Sequence, residues 1–152
     1  MATFIIILSF LSSSAHPKER ESYAYGDHID EINIGNTHTS DENIFTLGFD
    51  YEFFFSYYEH HFSFGLSLDN EFADIGNEFF LGPMASLYPG HHLKVFSAVG
   101  PLYIKGTAHF LYRVGLGYEF LFHPWLIIPN MSLDFVVGEM HVVSSLGLGY
   151  EF

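Results

Sequence analysis

The sequence predicts an all-β chain: an eight-stranded antiparallel up-and-down transmembrane β-barrel with an N-terminal signal peptide. Three observations carry this reading. From Ile29 onward apolar residues recur with a period of two rather than along a helical stripe. The links between the alternating runs are short and rich in turn residues. Aromatic residues make up 19% of the chain, with 18 Phe and 10 Tyr, while charged residues make up only 15%, against roughly 25% in ordinary globular chains. One chain of 152 residues is enough for one domain with a core. No window holds the ~18 unbroken apolar residues of a membrane helix, so a spanning segment would have to be a strand.

The charge balance narrows the partners. Lys and Arg total 5 against 18 acids, for a net charge of −13, and a nucleic acid would be repelled. The absence of Cys removes disulfides, thiolate metal sites and a Cys nucleophile.

The first element is a leader. Met1-Ala2-Thr3 is followed by the apolar run Phe4 to Leu11 and then by Ser12-Ser13-Ser14-Ala15, the pattern of a secretory signal peptide. Ser13 and Ala15 fit the small positions before a cut that leaves His16 first. The n-region lacks Lys and Arg, and Phe4 to Leu8 also reads as a buried first strand. The domain plan is therefore residues 1–15 signal peptide, 16–26 flexible polar link and 27–152 barrel.

The strands follow in order. A weak one runs from about Ile29 to Thr37. The clearest places Phe45, Leu47, Phe49, Tyr51 and Phe53 on one face and Thr46, Gly48, Asp50 and Glu52 on the other. The third sets Phe62, Phe64, Leu66 and Leu68 against Ser63, Gly65, Ser67 and Asp69. Two blurred strands lie near Phe79 to Tyr88 and Leu93 to Ile104. Phe110, Tyr112, Val114, Leu116, Tyr118 and Phe120 then oppose Leu111, Arg113, Gly115, Gly117 and Glu119. Ile127, Pro129, Met131, Leu133, Phe135 and Val137 oppose Asn130, Ser132 and Asp134. Val142, Leu146, Leu148, Tyr150 and Phe152 close the chain against Val143, Ser145, Gly147, Gly149 and Glu151. GLGYEF occurs at Gly115 to Phe120 and again at Gly147 to Phe152, 32 residues later, a spacing that suits neighbouring hairpins of one sheet.

Volume decides which face points outward. An eight-stranded barrel has an interior only just wide enough for side chains to fill, and the Phe, Tyr and Leu sets cannot all fit there. The small residues and scattered ions of the opposite face suit a cramped polar lumen. The large apolar face therefore points into lipid. A soluble lipocalin-like barrel requires the reverse assignment. Tyr57, Tyr58, Tyr88, Phe122, Trp125, Tyr150 and Phe152 gather near one end of the strands, as an interfacial girdle does.

Leu146, Leu148, Tyr150 and the final Phe152 resemble the C-terminal signal that the bacterial barrel assembly machinery reads, although a buried edge strand would look similar. Phe45 to Phe53 (FTLGFDYEF), Phe62 to Leu66 (FSFGL), His109 to Phe120 (HFLYRVGLGYEF), Ser132 to Gly138 (SLDFVVG) and the terminal GLGYEF resemble a family of small, mostly uncharacterised outer-membrane β-barrel proteins of Gram-negative bacteria. The resemblance implies a barrel of the kind formed by the membrane domain of outer-membrane protein A, located in the bacterial outer membrane with its lipid as partner. It implies no activity. Pro83 and Ser97, on the presumed lipid face, depart from the pattern.

The expected lumen gathers Asp50, Glu52, Asp69, Lys94, Arg113, Glu119, Asp134 and Glu151. Arg113 is expected at the hub of an ion-pair network, bridging Glu119 or Glu52 and Asp134, because buried charges must be paired and planar Arg can bind two carboxylates. The alternative is a cation path, since an acidic lining attracts cations. His60, His61, His91, His92 and His123 are weak metal candidates at one rim; adjacent His on a strand point to opposite faces, so no local spacing supports a site. No nucleophile elbow or phosphate loop is present, and neither an enzyme nor a cofactor is expected. The function expected is a structural or anchoring barrel with a plugged lumen. The alternatives are a narrow cation-permeable or transport barrel and a soluble ligand-binding barrel.

Overall fold

The computed structural model describes residues 28–40, 42–54, 62–73, 76–89 and 92–152. Nine strand segments follow one another: β1 (His28–His38), β2 (Asn43–Phe54), β3 (Phe62–Ala73), β4 (Gly76–Leu87), β5 (Leu93–Ile104), β6 (Thr107–Tyr118), β7 (Phe120–Phe122), β8 (Trp125–Val136) and β9 (Glu139–Glu151). β6 and β7 are two parts of one barrel strand interrupted at Glu119, and both pair with β8. The wall thus has eight strands. Each is antiparallel to its neighbours, and β1 closes on β9 from Ile29↔Glu151 to His38↔Val142. Closure leaves no sheet edge, which a membrane-spanning sheet requires.

The expected first strand, Ile29 to Thr37, is present with one more residue at each end. The two blurred strands are present as β4, which begins at Gly76 and ends at Leu87, and β5, which spans Leu93 to Ile104. The leader, the polar link, Tyr57, Tyr58, His60, His61 and His91 lie outside the described residues.

The links differ between the two ends. Residues 39–42, 74–75, 105–106 and 137–138 join strands at one rim, hereafter the turn rim. The ends of β2, β3, β4 and β5 that flank residues 55–61 and 88–92 stand at the opposite rim with His28, Phe152 and the two-residue link 123–124. Two of the short turns have positive φ at both central residues, Lys105 (49°) with Gly106 (80°) and Val137 (50°) with Gly138 (86°). That is the I′ geometry, whose twist matches a hairpin's.

Exposure alternates along every long strand, with the sense the volume argument predicts. Phe45, Leu47, Phe49 and Phe53 face outward at 38–47% exposure, and Leu116, Met131, Leu146 and Leu148 continue the belt around the barrel. A soluble barrel would place these residues inside. One expected member of the girdle is turned the other way: Tyr88 points into the barrel and is buried. It lies just past the end of β4, on the parity of Met84 and Ser86, both buried.

The wall has one weak line. The β4–β5 ladder runs from Glu78↔Ile104 to Phe80↔Leu102 and resumes at Met84↔Ala98. Between these pairs stand Leu81-Gly82-Pro83 and Val99-Gly100-Pro101. Proline has no N–H, so Pro83 and Pro101 each remove a donor from the ladder.

Candidate functional site: the barrel lumen

The inward faces of the strands converge on a lumen lined by two apolar clusters and two ion-pair groups. Near the rim of His28 and Phe152, Ile29, Phe54, Tyr88, Leu126 and Ile128 form an apolar cluster, with Leu121 packed against it. Toward the turn rim a second cluster joins Phe80, Met84, Phe96, Ala98, Leu102, Leu111 and Val136. Two ion-pair groups accompany these clusters.

The first group centres on Lys94, on β5. Its Nζ donates to Glu31 Oε2 at 2.9 Å and also pairs with Glu52 Oε1. All three side chains are at most 1% exposed. The other Glu52 oxygen accepts from Ser63 Oγ and from Tyr88 Oη, the latter at 3.0 Å. Glu31 Oε1 accepts from Asn130 Nδ2 at 2.8 Å. One buried ammonium thus holds two carboxylates from β1 and β2, and neutral donors satisfy their remaining oxygens, as buried charge demands. Gly147 makes room for this: a Cβ there would collide with the Glu31 carboxylate.

The second group centres on Arg113, on β6. Nε and Nη2 grip Asp134 at 2.7 and 2.6 Å, and Nη1 bonds Asp69. The guanidinium lies 5.4 Å from the centroid of the Phe80 ring, in cation–π range. Between the two groups, Asn33 Nδ2 donates to Asp50 Oδ2 at 2.9 Å and Asn33 Oδ1 accepts from Asn130 at 3.0 Å. A cavity of about 20 Å³ lies here, bordered by Asn33, Asp50, Asp69, Arg113 and Asn130. That is room for about one water. Closer to the turn rim Thr37 donates to Glu71 Oε1 at 3.0 Å and shares a 2.8 Å hydrogen bond with Thr46.

The eight lumen residues named from the sequence are all buried, but their pairing differs from expectation. Arg113 reaches neither Glu119 nor Glu52. It binds Asp69 and Asp134, and Glu52 belongs to Lys94. Register explains the change: Arg113 stands directly opposite Asp134, whereas Glu119 interrupts the strand beyond β6 and its backbone N–H bonds His92 O at 2.8 Å. Glu151 lies 3.9 Å from the exposed ring of His123. Glu31 and Glu71 are lumen acids that the sequence reading omitted. Parity places both once the outward face of each strand is known. Ile32 and Ile34 facing outward put Glu31 inside, and carrying the β3 alternation on to Phe72 puts Glu71 inside. Of the metal candidates only His92 and His123 are described, and among the described residues no three His, Asp or Glu side chains are grouped to hold an ion.

No protein-family model matches the chain, and no curated protein sequence matches it. Solved structures do. Neisserial surface protein A is similar with a TM-score of 0.56 at 9% identity, covering 82% of this chain and 96% of that one. Ail, the attachment invasion locus protein of Yersinia pestis, gives 0.55 at 10% identity over 84% of this chain and 98% of its own. The N-terminal β-barrel domain of Pseudomonas aeruginosa OprF gives 0.55 at 14% identity over 84% and 99%. A de novo designed transmembrane β-barrel gives 0.55 at 12% identity over 82% and 95%. The chain has the fold of the eight-stranded outer-membrane β-barrels.

Proposed function

We propose that the protein is a structural outer-membrane barrel that does not conduct. The lumen carries this reading: apolar clusters toward both ends and two closed ion-pair groups leave space for about one water between them. A permeation path would need a continuous hydrated line. The anchoring surface is the lipid-facing wall, where Leu116, Met131, Leu146 and Leu148 stand exposed. The same reading has the leader removed after Ala15 and β9 recognised by the assembly machinery through Leu146, Leu148, Tyr150 and Phe152. N-terminal sequencing of the extracted protein then begins at His16.

One observation favours a second reading, a cation-permeable barrel. Among the described residues, Glu31, Asp50, Glu52, Asp69, Glu71, Glu119, Asp134 and Glu151 face inward and are buried, against Lys94 and Arg113 alone. Planar-bilayer recording separates the two. The structural reading expects no steady current, and cation-selective conductance overturns it. Recovery in the outer-membrane fraction with heat-modifiable gel mobility tests the location that both share.

A further inference from the structure

Among the described strands, Asp30 is the one Asp, Glu, Lys or Arg placed on the outward face. The buried positions of β1 are Ile29, Glu31, Asn33, Gly35 and Thr37, so Asp30 belongs to the opposite set, with Ile32 and Ile34. A carboxylate on the lipid side of a barrel is unfavourable, least so near an interface, and an ionised group in that position calls for a partner.

Its neighbours define a site. Asp30 stands directly opposite Tyr51 on β2 and directly opposite Tyr150 on β9. Facing residues in a ladder have Cβ atoms about 4.5–5.5 Å apart, so a phenol ring flanks the carboxylate on each side. One pleat nearer the rim, His28 closes the site. Its Nδ1 is 2.6 Å from Tyr51 Oη, and its ring stacks on Tyr51 and Phe152 at centroid distances of 5.7 and 5.4 Å. Trp125 packs edge-on against Tyr150 at 5.0 Å, which sets this level of the wall within an aromatic girdle, where lipid headgroups lie.

We infer that Asp30, Tyr51 and Tyr150 bind the ammonium group of a zwitterionic phospholipid headgroup. A carboxylate with a phenol residue directly opposite it on each neighbouring strand is matched to a cation, because charge and ring quadrupole both attract it. Arg and Lys of another protein would bring the same chemistry, but the site opens sideways onto the bilayer at headgroup height. Anionic lipid is repelled by Asp30. The inference rests on the membrane reading above, and the test keeps the two separate.

Wild type, Asp30→Asn and Tyr150→Leu are folded into vesicles of phosphatidylglycerol alone and of phosphatidylglycerol with phosphatidylethanolamine. Insertion is scored first by heat-modifiable mobility; failure of wild type to insert in either vesicle overturns the membrane reading and the site with it. Lipid retained by the inserted protein is then measured by native mass spectrometry from nanodiscs of the mixed composition. Wild type is expected to enrich phosphatidylethanolamine over phosphatidylglycerol by about tenfold, the scale of one desolvated cation–π contact with a charge. Asp30→Asn should return the ratio to that of the bilayer, and Tyr150→Leu should lower it. Inserted wild type without enrichment, or Asp30→Asn with undiminished enrichment, overturns the site. Displacement of the retained lipid by ethanolamine at a concentration below that of the lipid headgroup also overturns it, since a free amine is then the preferred ligand.

Discussion

Arg113 and Asp134 face each other across the β6–β8 ladder, joined by two parallel hydrogen bonds, Nε to Oδ1 at 2.7 Å and Nη2 to Oδ2 at 2.6 Å. Fork-to-fork pairing of this kind fixes orientation as well as charge. It also locks the β6 part of the strand to β8 on the far side of the interruption at Glu119 from the β7–β8 turn. Arg113→Leu leaves Asp69 and Asp134 buried without a counter-charge, at a cost of about 3–5 kcal/mol. The unfolding midpoint in detergent should fall far below that of Lys105→Leu, whose side chain is exposed in a turn.

The Lys94 group makes a parallel prediction with an internal rescue. Lys94→Met strands both Glu31 and Glu52, which are almost fully buried, and should destabilise by about 3–5 kcal/mol. Adding Glu31→Gln and Glu52→Gln removes the uncompensated charge and should recover most of the loss in urea titrations. A triple variant no more stable than Lys94→Met would show that the ammonium matters for its packing against Phe96, 5.5 Å from the ring centroid, rather than for its charge.

Much of this was legible in the sequence because a period of two assigns faces once a single bulky run fixes the parity. Phe45 to Phe53 did so for β2, and Phe110 to Phe120 for β6 and β7. Where a strand mixes polar and apolar residues on both faces, parity is ambiguous. β1 has Ile29 inside and Ile32 and Ile34 outside, so Glu31 and Asp30 were not assigned from sequence. Partner choice was less legible still. Arg113 pairs with Asp69 across the lumen, 44 residues away, through barrel closure and shear that no local pattern reports. The inward turn of Tyr88 follows the β4 parity, and its aromatic character alone suggested the girdle.

The prolines on β4 and β5 make a prediction about the wall. Restoring two donors with Pro83→Val and Pro101→Val should extend the ladder from Phe80↔Leu102 to Met84↔Ala98 without a gap. A net hydrogen bond contributes about 0.5–1.5 kcal/mol, so the double variant should be more stable. Amide exchange at Leu81 and Val99, whose backbone carbonyls point into this seam, should slow in lipid nanodiscs. Unchanged exchange would show that the gap is already satisfied in another way.

Val137 holds φ at 50° in the β8–β9 turn, a conformation that strains a β-branched residue. The side chain is 70% exposed, so little packing offsets the strain. An Asn-Gly pair suits this turn, and Val137→Asn should stabilise by about 1 kcal/mol. Val137→Asn as the weaker variant in thermal melts would mean that the valine contributes to the apolar belt at this rim.

The assignment of inside and outside is tested most sharply by adjacent residues of β6. Val114 lies outward between Ser97 of β5 and Leu133 of β8, one residue from the buried Arg113. An arginine on the lipid face near the midplane costs about 2–4 kcal/mol. Val114→Arg should therefore lower the yield of heat-modifiable, vesicle-inserted protein, while Val114→Ala should insert normally. The same guanidinium is thus required at one position and excluded at the next, because successive strand residues face opposite media. If Val114→Arg inserts as well as wild type and Arg113→Leu unfolds no earlier, the two faces have been exchanged, and the apolar belt does not face lipid.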